Sequence, residues 1–520
     1  MSLRNMVIGM AIIFSGLCLM NAQTVAAAPR EMAGVVTEEK TELKNGLAET
    51  PIKQQTIKNI AKVKVDGKYG YINEQGQWII PAVLSEGEFW ATEGVVVGKK
   101  EGLWGCFDTN GKIRIPFVFD KVGELHDGLL PVKKDGKWGY YNKEGQEIVA
   151  RQYEEAGVFS EGLAAVKQNG RIGYIDQSGK VVIPFQFQES GDFHGGMAPV
   201  KVSGKWGYIN RAGTLVVPAL YDSLSREFGE GLACAELKGK WLYLDSTGKK
   251  AFDAPYYMVG PFEKGVATIF EKKQSFSFGG FAAIAVGCAL GVGTAGADTN
   301  LVADNFKRGY IDKSGKIIVS TKNDYVGSFF EDVAVVAVKD KWGAVDRSGN
   351  FVIAPQFDGL SDFKDGYAMA RKDDKWSFID KTGKALTAFK FEEVSSFSDG
   401  VAAVKMDGSW GFINKEGNMV SRLRLDEVSL PDVNPYQSRD KQAFHDGFAK
   451  AKINDKWGIV DTSGKFIISA QFSDGELKSM CNGLVAVKKG DKWGYMDTQG
   501  KMAITPKFNE AGNFISELVN

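Results

Sequence analysis

Short apolar runs separated by glycine-rich polar turns return through most of this chain, and one unit shows the scheme. Gly162-Leu163-Ala164-Ala165-Val166-Lys167 is a brief apolar run ending near Asn169-Gly170, a pair that tolerates the positive φ of a tight hairpin turn. Gly173-Tyr174-Ile175-Asp176 returns as a second strand, Gln177-Ser178-Gly179-Lys180 turns again, and Val181-Val182-Ile183-Pro184 forms a third. Phe187 and Phe193 bracket the connection to the next run, Gly195-Gly196-Met197-Ala198, and a short fourth strand fits around Phe193. β-Branched runs between turns this dense predict strands, and they exclude the paired helices of other repeats of this length.

The unit recurs in a fixed register. Asp135-Gly136-Lys137-Trp138-Gly139-Tyr140 returns, intact or drifted, with its key position at Tyr69, Trp104, Trp138, Ile172, Trp206, Trp241, Arg308, Trp342, Trp376, Trp410, Trp457 and Trp493. Spacings are 34 to 36 residues apart from two of 67 and 47, each of which is one unit plus an insertion. The expected fold class is therefore all-β, a tandem array of about twelve units of roughly 34 residues, each three- to four-stranded. A unit this small cannot close a core alone, so its tryptophans and recurrent phenylalanines are expected to pack between units. Exposed tryptophan platforms for sugars are the alternative.

This pattern resembles the bacterial WG-repeat family. Gly136 to Gly145, Phe159 to Val166 and Gly400 to Gly417 carry the resemblance, which spans about residues 60 to 514. Tryptophan is missing at Ile172 and Arg308, and the following glycine at Leu242 and Ser377. The resemblance implies a β-rich repeat scaffold and no common enzymatic activity. The array begins inside a unit at Ile60-Ala61-Lys62-Val63 and ends on the segment that precedes that strand in other units, Ala511 to Glu517. Uniform spacing without a central linker favours an open, solenoid-like superhelix; the complementary ends allow one or two closed β-propellers instead.

Composition narrows the role. Lys+Arg and Asp+Glu are equal at 64 each, which argues against a nucleic-acid partner. Residues 1–28 read as a signal peptide, with Arg4, an apolar Met6 to Met20 and small residues at Val25-Ala26-Ala27-Ala28, so an extracytoplasmic location is expected. Leu17, not a small residue, stands just before Cys18, so no lipid anchor is expected there. Residues 29–59 read as a linker, 60–273 and 307–520 as repeats, and 274–306 as a hydrophobic Gly/Ala-rich insertion; a shorter insertion lies near 421–436. Phe276, Phe278, Phe281 and Leu290 of the long insertion are candidates for partner or peripheral membrane contact.

Candidate chemistry is sparse. His126, His194 and His445 each precede a Gly-rich strand start and read as turn residues. Asp312, Asp380 and Asp461 open Asp-x-Ser/Thr-Gly turns, where a carboxylate capping backbone N–H groups explains the pattern better than calcium. Cys106, Cys234, Cys288 and Cys481 have no disulfide or zinc spacing and are expected to be free or buried thiols. No catalytic, metal or cofactor residue is expected. The function expected is a non-catalytic scaffold binding protein or cell-envelope polysaccharide, the alternative being an enzyme such as a hydrolase with its site in a channel or on a concave face.

Overall fold

The computed structural model describes residues 56–92, 94–226, 228–272, 306–421, 424–430 and 442–519. The described residues form twelve small antiparallel sheets and no helix. Blades are numbered here by the strand that carries the tryptophan register: Lys68–Asn73, Leu103–Asp108, Lys137–Asn142, Arg171–Asp176, Lys205–Asn210, Lys240–Asp245, Phe306–Asp312, Lys341–Asp346, Lys375–Asp380, Ser409–Asn414, Lys456–Asp461 and Lys492–Asp497. Blade 4 shows the common order. Strand a is Glu155–Ser160, b is Leu163–Gln168, c is Arg171–Asp176 and d is Val181–Phe187, each paired with its chain neighbour. The fourth strand is thus strand a. In blade 5 it is Glu189–Ser190, a few residues before the Phe193 position expected.

Turn chemistry fixes the hairpins. Asp135 and Gly136, between b and c of blade 3, take φ of 50° and 78°, as a two-residue reversal with the twist of the strands requires. Between c and d, Asp176 Oδ1 accepts the backbone N–H groups of Ser178 at 2.9 Å and Lys180 at 3.0 Å. Asp312, Asp380 and Asp461 do the same, so these turns use their carboxylates to cap backbone.

The first blade decides how the array ends. Its strand a is the last strand of the chain, Glu510–Val519, paired antiparallel with Thr56–Val65 from Thr56↔Val519 to Lys64↔Glu510. Twelve buried apolar clusters follow, each shared by two consecutive blades. The twelfth joins blade 12, through Leu484, Tyr495 and Phe508, to blade 1, through Ala61, Ile72 and Phe514. An open superhelix would have eleven junctions and two bare edges. The closed alternative therefore holds, as a single propeller-like ring of twelve blades rather than two rings. The cause lies in the phase of the ends: the first unit lacks a strand a, and the C-terminus supplies it.

Junctions are also tied by polar contacts. The strand-c tyrosine of one blade donates to a carbonyl in or just after strand a of the next: Tyr140 to Gly157 (2.7 Å), Tyr174 to Gly191 (2.8 Å), Tyr243 to Gly260 (2.7 Å) and Tyr310 to Gly327 (2.9 Å). Tyr495 to Gly512, at 2.8 Å, makes this tie across the closure. Acidic turn residues clasp the next blade as well. Glu161 accepts the N–H groups of Gly195 and Gly196 at 2.6 and 3.0 Å, and Glu230 accepts that of Gly265 at 3.0 Å and the Lys313 ammonium at 2.8 Å.

Candidate functional site

The register tryptophans belong to the junctions. Trp241, Trp410 and Trp457 are buried, and the other six are half-buried. The outer faces of several are covered by their cross-strand lysines, as with Lys133 over Trp138 at 5.8 Å and Lys201 over Trp206 at 5.5 Å. In blade 7 the pair is inverted. Phe270 on strand b meets Arg308 on strand c, with the guanidinium 5.7 Å from the ring centroid, so the cation–aromatic contact survives the loss of tryptophan.

The other residues singled out from sequence lie in turns and strands of separate blades. His126 and His194 are exposed, and each exchanges backbone bonds with the residue three positions on (Leu129, Met197) across a tight turn. His445 is exposed and pairs with Phe448. Cys106 and Cys234 are buried thiols outside any disulfide, with burial pushing the Cys106 thiol up to about 12, and Cys481 is a half-buried thiol. Phe276, Phe278, Phe281, Leu290 and Cys288 lie outside the described residues; the strands flanking that stretch pair with each other from Val266↔Asp312 to Lys272↔Phe306. Among the described residues no three His, Cys, Asp or Glu side chains group as a metal site, and no helix is long and apolar enough to cross a membrane.

An open cleft crosses the ring closure. It encloses about 530 Å3 and is lined by Ser429 and Lys450 of blade 11, Leu477, Lys478 and Ser479 of blade 12, and Lys62, Tyr71, Gly512 and Asn513 of blade 1. Its three lysines occupy positions that are small or apolar in other units. Lys62 and Lys450 hold the same register on strand b, opposite Tyr71 and Ile459. The equivalents are Pro131, Ala165, Pro199, Ala403 and Ala486. Lys478 takes the strand-a place of Gly157, between the matching pairs Leu477↔Val487 and Met480↔Val485. That is the place the preceding tyrosine normally reaches, and in blade 11 the tyrosine is replaced by Ile459. Two breaks in the repeat thus meet at one junction.

Aromatic rings hold the ammonium groups. Lys62 Nζ lies 4.3 Å from the Tyr69 ring centroid and Lys450 Nζ 4.3 Å from that of Trp457. Lys478 Nζ donates to the Ala511 carbonyl at 2.6 Å and stands 5.4 Å from the Trp493 ring. Desolvation lowers the pKa of Lys62, opposed by Glu510, and that of Lys450, opposed by Asp474 and Glu427. The chemistry offered is that of an anion receptor with neutral Ser429, Ser479 and Asn513 beside the charges. None of these residues was singled out from sequence, although the signal was visible: Lys62 interrupts the apolar run Ile60-Ala61-Lys62-Val63, and aligning the units shows the same break at Lys450. A second polar group lies in blades 3 to 6, where burial raises the Asp192 carboxyl against the opposing charges of Arg226, His194 and His126.

The fold defines a class, the closed β-repeat ring. The chain belongs to the WG containing repeat family, which matches residues 69–104, 104–138, 138–171, 172–206, 206–241, 309–342, 342–376, 376–410, 410–431, 457–493 and 493–518. No curated protein matches it. Similar solved structures include a eukaryotic initiation factor, 11% identical over 71% of this chain and 97% of that one, with a TM-score of 0.30. Others are PorZ, a surface component of the type-IX secretion system of Porphyromonas gingivalis (11% identity, 84% and 65% covered, TM-score 0.22), and the extracellular domain of a putative one-component system of B. thetaiotaomicron (9% identity, 88% and 78% covered, TM-score 0.22). Likeness at these scores has no bearing on function.

Proposed function

We propose that this ring is a non-catalytic scaffold working outside the cytoplasm, holding a cell-envelope polysaccharide or protein on the lysine-walled cleft between blades 11, 12 and 1. The observation that carries this reading is the convergence of three repeat-breaking lysines in one recess, where a scaffold with no ligand would keep alanine, proline or glycine. The side chains lining the recess are lysine, serine and asparagine beside Tyr71 and Leu477, without histidine, cysteine or a carboxylate, which supports binding over turnover. The sequence of residues 1–28 supports export. Co-sedimentation of the full chain with purified envelope polysaccharide, and separately with envelope proteins, tests the reading. Saturable retention by one fraction is expected; retention by neither, or release of cleavage products from a bound polymer, would refute it. In the same proposal the 274–306 insertion supplies peripheral contact through Phe276, Phe278, Phe281 and Leu290. Deleting residues 274–305 should then reduce association with lipid vesicles, and unchanged association would remove the insertion from the account.

A further inference from the structure

We infer that the cleft is a receptor for acidic glycan, taking a sugar unit that carries a carboxylate or phosphate. This rests on the binding function proposed above and names its ligand class. Three lysines on three consecutive blades set the charge of the ligand, because lysine at the places of Lys62 and Lys450 costs desolvation that alanine would avoid. The neutral groups set the rest. Ser429, Ser479 and Asn513 surround the charges with donors and acceptors suited to a polyhydroxylated ring. Shape favours a glycan over an acidic protein. The volume falls within the roughly 300–1,000 Å3 of recessed small-ligand sites, whereas protein partners commonly meet over about 800 Å2 of surface per side.

The repeat itself supplies the control. Lys62→Ala and Lys450→Ala restore the residue of blades 4 and 10, and Lys478→Gly restores that of blade 4, so a triple reversion should fold like its neighbours. Binding of the full chain is measured by calorimetry with oligogalacturonate, with a glycerol-phosphate oligomer, with neutral dextran and with polyglutamate. The unfolding midpoint of each variant is recorded alongside. At least one of the two acidic sugar polymers should bind, dextran and polyglutamate at least tenfold more weakly. Whichever of the carboxylate and phosphate arms is tighter identifies the anion, and either supports the inference. Each single reversion should weaken binding roughly ten- to hundredfold, the scale of a charge-assisted hydrogen bond, with a cooperative unfolding transition retained. Lys450→Arg should retain most of the affinity. Equal or tighter binding of dextran would overturn the anionic ligand while leaving the ring a binder. Preference for polyglutamate would overturn it in favour of an acidic protein. Unaltered binding by a folded triple reversion would take the ligand out of this cleft, and no binding of either acidic polymer would overturn the inference outright.

Discussion

A Cβ built on Gly139 would stand 2.5 Å from the Val149 carbonyl oxygen and 2.8 Å from the Arg151 nitrogen. The glycine after tryptophan is therefore demanded by the backbone of strand d, which carries a two-residue bulge between the Trp138↔Tyr153 and Tyr140↔Val149 pairs. Blade 6 shows the converse. Leu242 replaces glycine, the bulge is gone, and strand d shortens to Lys250–Ala254. At Gly411 the added carbon would meet only the Met419 Cε, a flexible tip. Gly139→Ala should thus cost about 1–3 kcal/mol in chemical denaturation, and Gly411→Ala clearly less. Trp410→Ala, which empties the junction of blades 10 and 11, should cost about 3–5 kcal/mol by the same measurement. Aromatic junctions were legible in the sequence because identical residues returned at one spacing. The role of the glycine was half legible, since a bulge was one expected cause, while the approaching carbonyls belong to a strand whose register only the fold reveals.

At the scale of strands and turns, stability is set by carboxylates that hold backbone. Asp222 accepts the Lys238 N–H, and its pairing with Lys205 keeps its carboxyl below the ordinary range. Asp358 does the same with the Asp373 N–H and Lys341, and Glu230 is kept low by Lys313 and by the Gly265 N–H of the next blade. A carboxyl whose folded pKa is depressed stabilises the fold above its unfolded value and ceases to do so as pH falls through the folded one. The unfolding midpoint should therefore hold near neutrality and drop as pH falls below about 4. Glu230→Gln should shrink that drop, in thermal scans at matched ionic strength. The turn aspartates were readable in advance because Asp-x-Ser/Thr-Gly has a local mechanism. The clasps between blades were not, because each joins residues about 35 positions apart with no local pattern.

For the whole molecule, ring closure and the candidate site are one feature. The cleft takes Lys62 from the first strand and Gly512 and Asn513 from the last, so it is complete only when the ends pair. The sequence carried the complementary phase of the ends, while even spacing favoured an open array. What separates the two forms is the accumulated rotation between blades, which no single unit encodes. The site was missed for a related reason: its lysines lie more than 380 residues apart in the chain (62 against 450), and adjacency needs the closed ring. Lys64 and Glu510 face each other across the closure as a 2.8 Å ion pair. Replacing both by cysteine places two thiols on opposed positions of an antiparallel pair, within reach of a disulfide. After mild oxidation of the full-length K64C/E510C chain, non-reducing electrophoresis with thiol titration should show an intrachain crosslink at every protein concentration. A chain that stays reduced, or that links only to other chains, would contradict the closed ring and with it the cleft.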